Sequence, residues 1–316
     1  MRTRLVVRVR GVRTGFRSRA PVRENVVTGA RSGGYNNHVT TTLRPTAPQH
    51  ESADGVRSRA YEVCVNGRPV GTAEVSTDAR FGGRFGKIRH LSIAEGDRRR
   101  GRGTVAALAA EEVLRGWGCT QVSASVPADA HGALALTTAL GYTARGHNMV
   151  KDLTESPELP PATRVRPLTD AEYPEWFTRE RASYIRDWMD RGVPEEQATT
   201  KADADYATLL PDGPATRSVL LRVLTHEDVA RGTIWIALGD RSENGEGAYV
   251  YAVEVAPEHR GQGHGRSLLL VAERESLAAG VTRLGLHVFA NNTPAVRLYE
   301  SLGYRYVVTH MVKSLL

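Results

Sequence analysis

PEHRGQGHGRSLL, residues 257–269, passes through three glycines into an apolar run. EGDRRRGRGTVAA, residues 95–107, has the same layout 162 positions earlier. The shift of 162 also pairs Gly118 with Gly280, ALGY (139–142) with SLGY (301–304) and MVK (149–151) with MVK (311–313). Further upstream the shift becomes 161, pairing GTAEV (71–75) with GTIWI (232–236), so one residue is gained or lost in the hairpin between. Self-similarity held over this distance identifies a duplicated domain.

Each copy reads as strands alternating with helices. In the second, TRVRP (163–167), SVLLRVL (218–224), ARGTIWIAL (230–238), YVYAVEV (249–255) and RLGLHVF (283–289) have the composition of strands, and GDRSENGEG (239–247) that of a turn. An apolar face from Arg266 to Ala279 predicts a helix stopped by Gly280. Asn292-Thr293-Pro294 predicts a capped helix with proline at its first position, ending before Gly303. YRYVVTHMVKSL closes the sheet.

The chain has 316 residues, 41% of them apolar, enough for two cores. No apolar run approaches the roughly 20 residues that span a membrane, and no secretory signal is evident. Cys64 and Cys119 imply no disulfide framework and read as small core residues, which suits a reduced, cytoplasmic setting. No CxxC, HExxH or Cys/His cluster is present, so no metal is expected. The formal charge of +7 lies in residues 1–40, where nine arginines face one acid, Glu24, while the remainder sums to −1. This extension is expected to be largely disordered apart from one short strand within LVVRVRGV (5–12). Without a basic folded face, nucleic acid is not an expected partner, and neither is a membrane.

The loop itself is Arg260-Gly261-Gln262-Gly263-His264-Gly265, lying between a strand that ends at Val255 and a helix. A helix start presents unpaired N–H groups and partial positive charge, and glycines let a ligand approach the backbone. Such a site suits a pyrophosphate, with Arg260 and Arg266 adding charge and the His264 side chain expected in solvent. The spacing R-x-x-G-x-G is neither a P-loop nor the Rossmann pattern.

Val253-Glu254-Val255-Ala256-Pro257, Arg260-x-x-Gly263-x-Gly265, Asn291-Asn292, Tyr299 and Gly303-Tyr304 follow in an order that resembles the GNAT superfamily of acetyl-CoA-dependent N-acetyltransferases. Residues 163–316 carry the full set and residues 43–152 part of it, so the chain resembles a tandem GNAT protein. The resemblance implies an α+β (αβα) fold of two tandem domains, each a mixed, mostly antiparallel twisted sheet flanked by helices. We expect an extension (1–40), an N-terminal degenerate domain (41–153), a linker (154–162) and a C-terminal catalytic domain (163–316). It further implies acetyl-CoA as co-substrate, with Val253–Val255 backbone on the pantetheine arm, residues 261–266 on the pyrophosphate and Asn292 on the arm.

Direct attack by an amine needs a base for the ammonium proton and an acid for the departing thiolate. Tyr299, seven residues after Asn292, matches the family's acid position. Glu254 is the first candidate for the base, as a lone carboxylate among apolar neighbours is held at raised pKa. His287, five residues before Asn292 on the adjacent strand, competes. In the first copy these positions are Ser92 for Glu254, Thr137 for Tyr299, Ala130 for Asn292 and Ser125 for His287, none of which titrates near neutrality. The second copy also holds two amphipathic helices, at 170–190 and 194–210, in a stretch for which the first has only about a dozen residues. In GNAT proteins such helices wall the acceptor site.

The expected function is therefore acetylation of a primary amine of a small molecule by the C-terminal domain, the N-terminal domain being structural or binding CoA only. A mycothiol-synthase-like transferase, a protein N-terminal acetyltransferase and a non-catalytic acyl-CoA sensor are the alternatives.

Overall fold

A computed structural model describes residues 5–6, 40–53, 55–78, 84–190, 192–239 and 247–315. The first half runs β1 (Leu5–Val6), β2 (Thr41–Pro45), β3 (His50–Glu51), β4 (Arg57–Val65), β5 (Arg68–Thr77), β6 (Phe85–Ile93), α1 (Arg102–Gly116), β7 (Gln121–Pro127), α2 (His131–Ala139) and β8 (Thr143–Asp152). The second runs β9 (Thr163–Pro167), α3 (Tyr173–Met189), α4 (Glu195–Leu209), β10 (Val219–His226), β11 (Val229–Ala237), β12 (Ala248–Val255), α5 (His264–Ala278), β13 (Arg283–Phe289), α6 (Thr293–Ser301) and β14 (Arg305–Ser314).

The expected strands lie where their alternation places them, and 163–167 and 283–289 match end for end. Helix α5 starts two residues earlier than the apolar face alone suggests, because Gly263 caps it at φ 87°. Asn292 caps α6 by accepting from the Ala295 N–H at 3.3 Å, and Pro294 is that helix's second residue, not its first. Gly280 ends α5 in a left-handed turn, its N–H on the Leu277 carbonyl and that of Val281 on Ser276. Leu5–Val6 pairs with β2. The disorder expected of the extension falls on residues 7–39, outside the described residues, as do 240–246 of the turn.

The two halves share one sheet, ordered β1-β2-β4-β5-β6-β7-β14-β8-β13-β12-β11-β10-β9. Its pairs are antiparallel except β6 with β7 and β12 with β13. The expected pair of sheets is thus fused, and the last strands are exchanged. β8, the end of the first half, pairs with β13 of the second, and β14 pairs with β7 of the first. β8 and β14 meet antiparallel at the centre, where His147 lies opposite Thr309, its equivalent under the 162 shift, and their side chains hydrogen-bond at 3.1 Å. An approximate two-fold axis therefore passes between these residues.

The exchange is held by two equivalent ion pairs. Lys151 of β8 reaches Glu273 of α5 at 2.8 Å, and Lys313 of β14 reaches Glu111 of α1 at 2.7 Å. Each lysine also lies over a tyrosine ring, Tyr304 for Lys151 and Tyr142 for Lys313.

Side-chain alternation sorts the second half into two cores. Ile234 and Ile236 of β11 join Leu268 and Leu269 of α5 on one face, while Trp235 joins Trp176 of α3 and Tyr206 of α4 on the other. Phe85 of β6 belongs to this latter core, so α3 and α4 reach across to the first half. Among the described residues the first half has no helix between β2 and β4 to match them. Cys64 and Cys119 are both buried, as expected of small core residues.

Replacing Glu273 by alanine strands the Lys151 ammonium beside an apolar core. Removing one partner of such a pair costs about 3 kcal/mol. The paired change Lys151→Met with Glu273→Leu should recover most of that loss, read as the urea unfolding midpoint.

Candidate functional site

β12 and β13 run parallel and stay paired only through Ala248–Val250 and Leu284–Leu286. Opposite β11 the register of β12 slips at Tyr251: Trp235 faces Ala252, and Ile236 faces Val250. A bulge of this kind bends its strand. Beyond it, Val253–Val255 keep β11 on one side and diverge from β13 on the other, opening a cleft whose edge carries main-chain N–H and C=O groups.

At the mouth of the cleft stands the start of α5. Gly261 and Gly263 both adopt left-handed backbone, φ 75° and 87°, and a Cβ at either would meet nothing within 4 Å. The first N–H groups of the helix, from His264 onward, have no intrahelical acceptor. Arg260 donates to the Val255 carbonyl at 3.2 Å, Gln262 to that of Glu258 at 3.3 Å and Arg266 to the Ser301 hydroxyl at 2.6 Å. These bonds fix the loop around an open, amide-lined concavity of the kind that fits a diphosphate. Gly265 lies where a Cβ would stand 3.4 Å from Leu298 of α6, so α5 and α6 approach closely.

The His264 side chain departs from expectation. It is buried, not solvated, because the first turn of α5 points it at β10 and the turn after β12. Its ring centroid lies 5.5 Å from that of His226 and 6.3 Å from that of His259. Burial, then His226, Arg231 and His259, lower its pKa, so this imidazole resists adding a charge.

Below the loop a cavity of about 590 Å³ extends from the cleft across the two-fold axis. Val253, His287, Asn292 and Tyr299 line it from the second half, and Lys87, Ser125 and Asn148 from the first. Of the three candidates for proton transfer, the structure thus brings His287 and Tyr299 to one space. Tyr299 is 9% exposed, and burial raises its phenol to about 12, so it holds its proton at neutral pH. Glu254 differs from the lone carboxylate expected of it. Its side chain is 37% exposed and sits 3.8 Å from Arg179 of α3.

The carboxylate with the raised pKa is Glu180, one residue further along α3, which sequence reasoning missed. Burial, then the charges of Glu254 and Asp187, lift it to about 7 against a hydrogen bond from the Tyr206 hydroxyl at 3.3 Å. A signal was present: Glu180 lies four residues after Trp176 and four before Tyr184, on the apolar stripe of its helix. Asp205 on α4 takes both Lys201 and the Tyr184 hydroxyl. Aromatic rings finish the wall, with Trp188 edge-on to Phe289 at 6.0 Å and Tyr206 stacked on Trp235 at 5.7 Å.

The equivalent cleft of the first half keeps the shape and loses the groups. β6 bulges at Arg89 and parts from β7 beyond Ile88. Arg98 donates to the Ile93 carbonyl as Arg260 does to Val255. At the Gly261 position stands Arg99, forced to φ 57°. Thr137 spends its hydroxyl on the Ala133 carbonyl of its own helix, and Ser92 on Thr72 and His90. Among the described residues no helix is long and apolar enough to cross a membrane, and no group of three His, Cys, Asp or Glu side chains is placed to hold a metal.

A profile of the acetyltransferase (GNAT) family matches residues 35–142 and again 164–304, one match to each half. An uncharacterized N-acetyltransferase of Bacillus subtilis, YdgE, is 29% identical over 122 residues, which are 38% of this chain and 77% of that protein. A mycothiol acetyltransferase of Thermobispora bispora is 41% identical over 75 residues, 23% of this chain and 25% of that enzyme. Among solved structures, a GCN5-related N-acetyltransferase from Sphaerobacter thermophilus superposes over 81% of this chain and 80% of its own, with a TM-score of 0.53 and 20% identity, a likeness of fold. With both halves matched by the family profile and both built around the same splayed strands and glycine loop, the chain belongs to the acetyltransferase (GNAT) family.

Proposed function

We propose that the protein transfers the acetyl group of acetyl-CoA to a primary amine of a small molecule by direct attack, with the chemistry in the cleft of the second half and the first half serving as scaffold. The observation that carries this is the asymmetry of the two clefts. Glu180, Glu254, His287 and Tyr299 surround the second, where the first offers Ser92, Ser125 and Thr137.

The amides from Gly261 to Arg266 are suited to the diphosphate, and the open edge of Val253–Val255 to the pantetheine arm. The thioester supplies the acetyl group. An acceptor arrives as an ammonium ion and must lose a proton before it can attack. Glu180, poised at about 7 and half-buried beside Tyr206, is the group suited to take it. Nitrogen gains positive charge as it adds to the carbonyl, and His287, on the strand across the cleft, accepts that second proton. Tyr299 gives its proton to the departing sulfur. Glu254, near Arg179, adds negative charge where the cation enters. The aromatic wall and the carboxylates of α3 together favour a cationic amine with an apolar body.

A mycothiol-acetyltransferase-like activity is the second reading, favoured by the local identity to those enzymes. Turnover of the deacetylated mycothiol precursor in preference to other amines would select it.

Screening amines with acetyl-CoA while following free thiol tests the proposal, and absence of turnover with any amine would refute it. With an accepted amine, kcat/KM should rise with pH through about 7, as Glu180 loses its proton. Glu180→Gln should abolish that rise and lower kcat by about 10²-fold or more. Tyr299→Phe should lower kcat to a similar degree without weakening acetyl-CoA binding. Gly263→Ala should act on KM for acetyl-CoA instead, by roughly fivefold, since a left-handed backbone costs a side chain about 1 kcal/mol.

A further inference from the structure

His287 does not stand alone on its strand. Its Nδ1 lies 2.9 Å from the side-chain oxygen of Asn148. Asn148 belongs to β8, the strand that the first half inserts beside β13, and is itself buried. The same oxygen lies 3.1 Å from Nε2 of His310 on β14, and Nδ1 of His310 lies 3.1 Å from the hydroxyl of Ser125 on β7. All four residues line the one cavity.

The chemistry of the groups sets the direction of every bond. An amide oxygen only accepts, and it has two lone pairs. Both ring nitrogens that reach it must therefore donate. A neutral imidazole has one N–H, so Nδ1 of His287 carries it and Nε2 holds the lone pair. By the same reasoning His310 donates through Nε2 and accepts at Nδ1, which makes Ser125 a donor. The four residues thus form one hydrogen-bonded chain from the first cleft to the second, with donors converging on the Asn148 oxygen from both sides. Under the 162 shift Ser125 corresponds to His287 and Asn148 to His310, so the chain runs through the two-fold axis while its ends differ in kind.

The site is also shaped for the ring. A Cβ on residue 146 would lie 2.6 Å from Cε1 and 2.7 Å from Nε2 of His287, and Gly146 leaves that space empty. Phe289 closes the other side edge-on, with centroids 5.1 Å apart.

We propose that Asn148, delivered by the exchanged strand, is the positioning residue for His287: it fixes the Nδ1–H tautomer and so keeps Nε2 as the basic nitrogen. This rests on the role given to His287 above, and it makes the active site a product of both halves. The titratable and charged groups around the same cavity are His310 on β14, Asp78 just after β5, Lys87 on β6, Arg145 on β8, Glu180 and Asp187 on α3, and the Lys201–Asp205 pair on α4.

Long-range 15N–1H correlation on the full chain reads the tautomer without any acceptor. The expected result is Nδ1–H at His287 in the wild type and a mixture of tautomers in Asn148→Leu. Nε2–H in the wild type overturns the proposal, whether or not the variant folds. In turnover, Asn148→Leu should lose kcat by about tenfold, roughly the worth of one buried hydrogen bond, with KM for acetyl-CoA held to within about twofold. Asn148→Asp keeps the acceptor but favours the imidazolium, so its kcat should return only at alkaline pH, the acid limb moving up by about one unit. A Leu variant with wild-type tautomer and wild-type kcat also overturns the proposal. Failure of the acetyltransferase reading would show separately, as no thiol release by the wild type.

Discussion

Glu111 and Glu273 sit on the buried faces of α1 and α5, 0% and 2% exposed, where a bare carboxylate would carry a desolvation cost of several kcal/mol. Each meets a lysine, and in both cases the lysine comes from the last strand of the other half. This contact constrains the whole architecture. A half folded on its own, with the strand order seen here, would bury a glutamate with no counter-ion and leave the edge of its fifth strand bare. Exchange of β8 and β14 satisfies both needs at once. Further bonds repeat the pattern, since the Leu153 N–H reaches the Thr282 carbonyl and that of Leu315 reaches Thr120.

Placing the exchanged strands at the centre of the sheet has a consequence for chemistry. Each parallel pair, β6 with β7 and β12 with β13, opens toward the two-fold axis, and β8 and β14 lie between the openings. The two clefts become ends of one cavity. The helices α3 and α4 then cover it from the second half, and their aromatic core takes in Phe85 from the first. The first half therefore furnishes floor and wall to the cavity it shares with the second.

Much of this was legible in the sequence. Strands of the second half, the glycine turn at 261–263 and the cap at Asn292 depend on local chemistry: alternation, positive φ and a side-chain acceptor, each read within a few residues. The repeat told which features recur, and the missing Tyr299 and His287 equivalents told which half lost its titrating groups. Three things depended on long-range contacts and stayed hidden. Strand exchange cannot be read from a repeat, since both partners of an exchange have the same sequence pattern. Burial of His264 depends on packing against His226, distant in the chain. The environment of Glu180 depends on α4 and β12 folding over it, so a carboxylate on an apolar helix stripe was passed over for Glu254, whose strand position was conspicuous but whose side chain meets Arg179.

The shared cavity also constrains where titrating groups can stand. Two complete sets would place two imidazoles, two phenols and several carboxylates around one enclosed space, and like charges in a low-dielectric interior shift one another strongly. The two-fold axis makes the conflict sharpest at the centre, where His310 and Asn148 occupy equivalent positions and share a single hydrogen bond. An amide oxygen there can accept from two rings at once, which a single imidazole nitrogen cannot do. An asparagine opposite a histidine resolves it, and the choice then propagates outward: the strand paired with asparagine carries His287, and the strand paired with histidine carries Ser125. Asymmetry at one pair of residues on the axis thus goes with an imidazole at the edge of one cleft and a hydroxyl at the equivalent place in the other, with the backbone of both nearly the same.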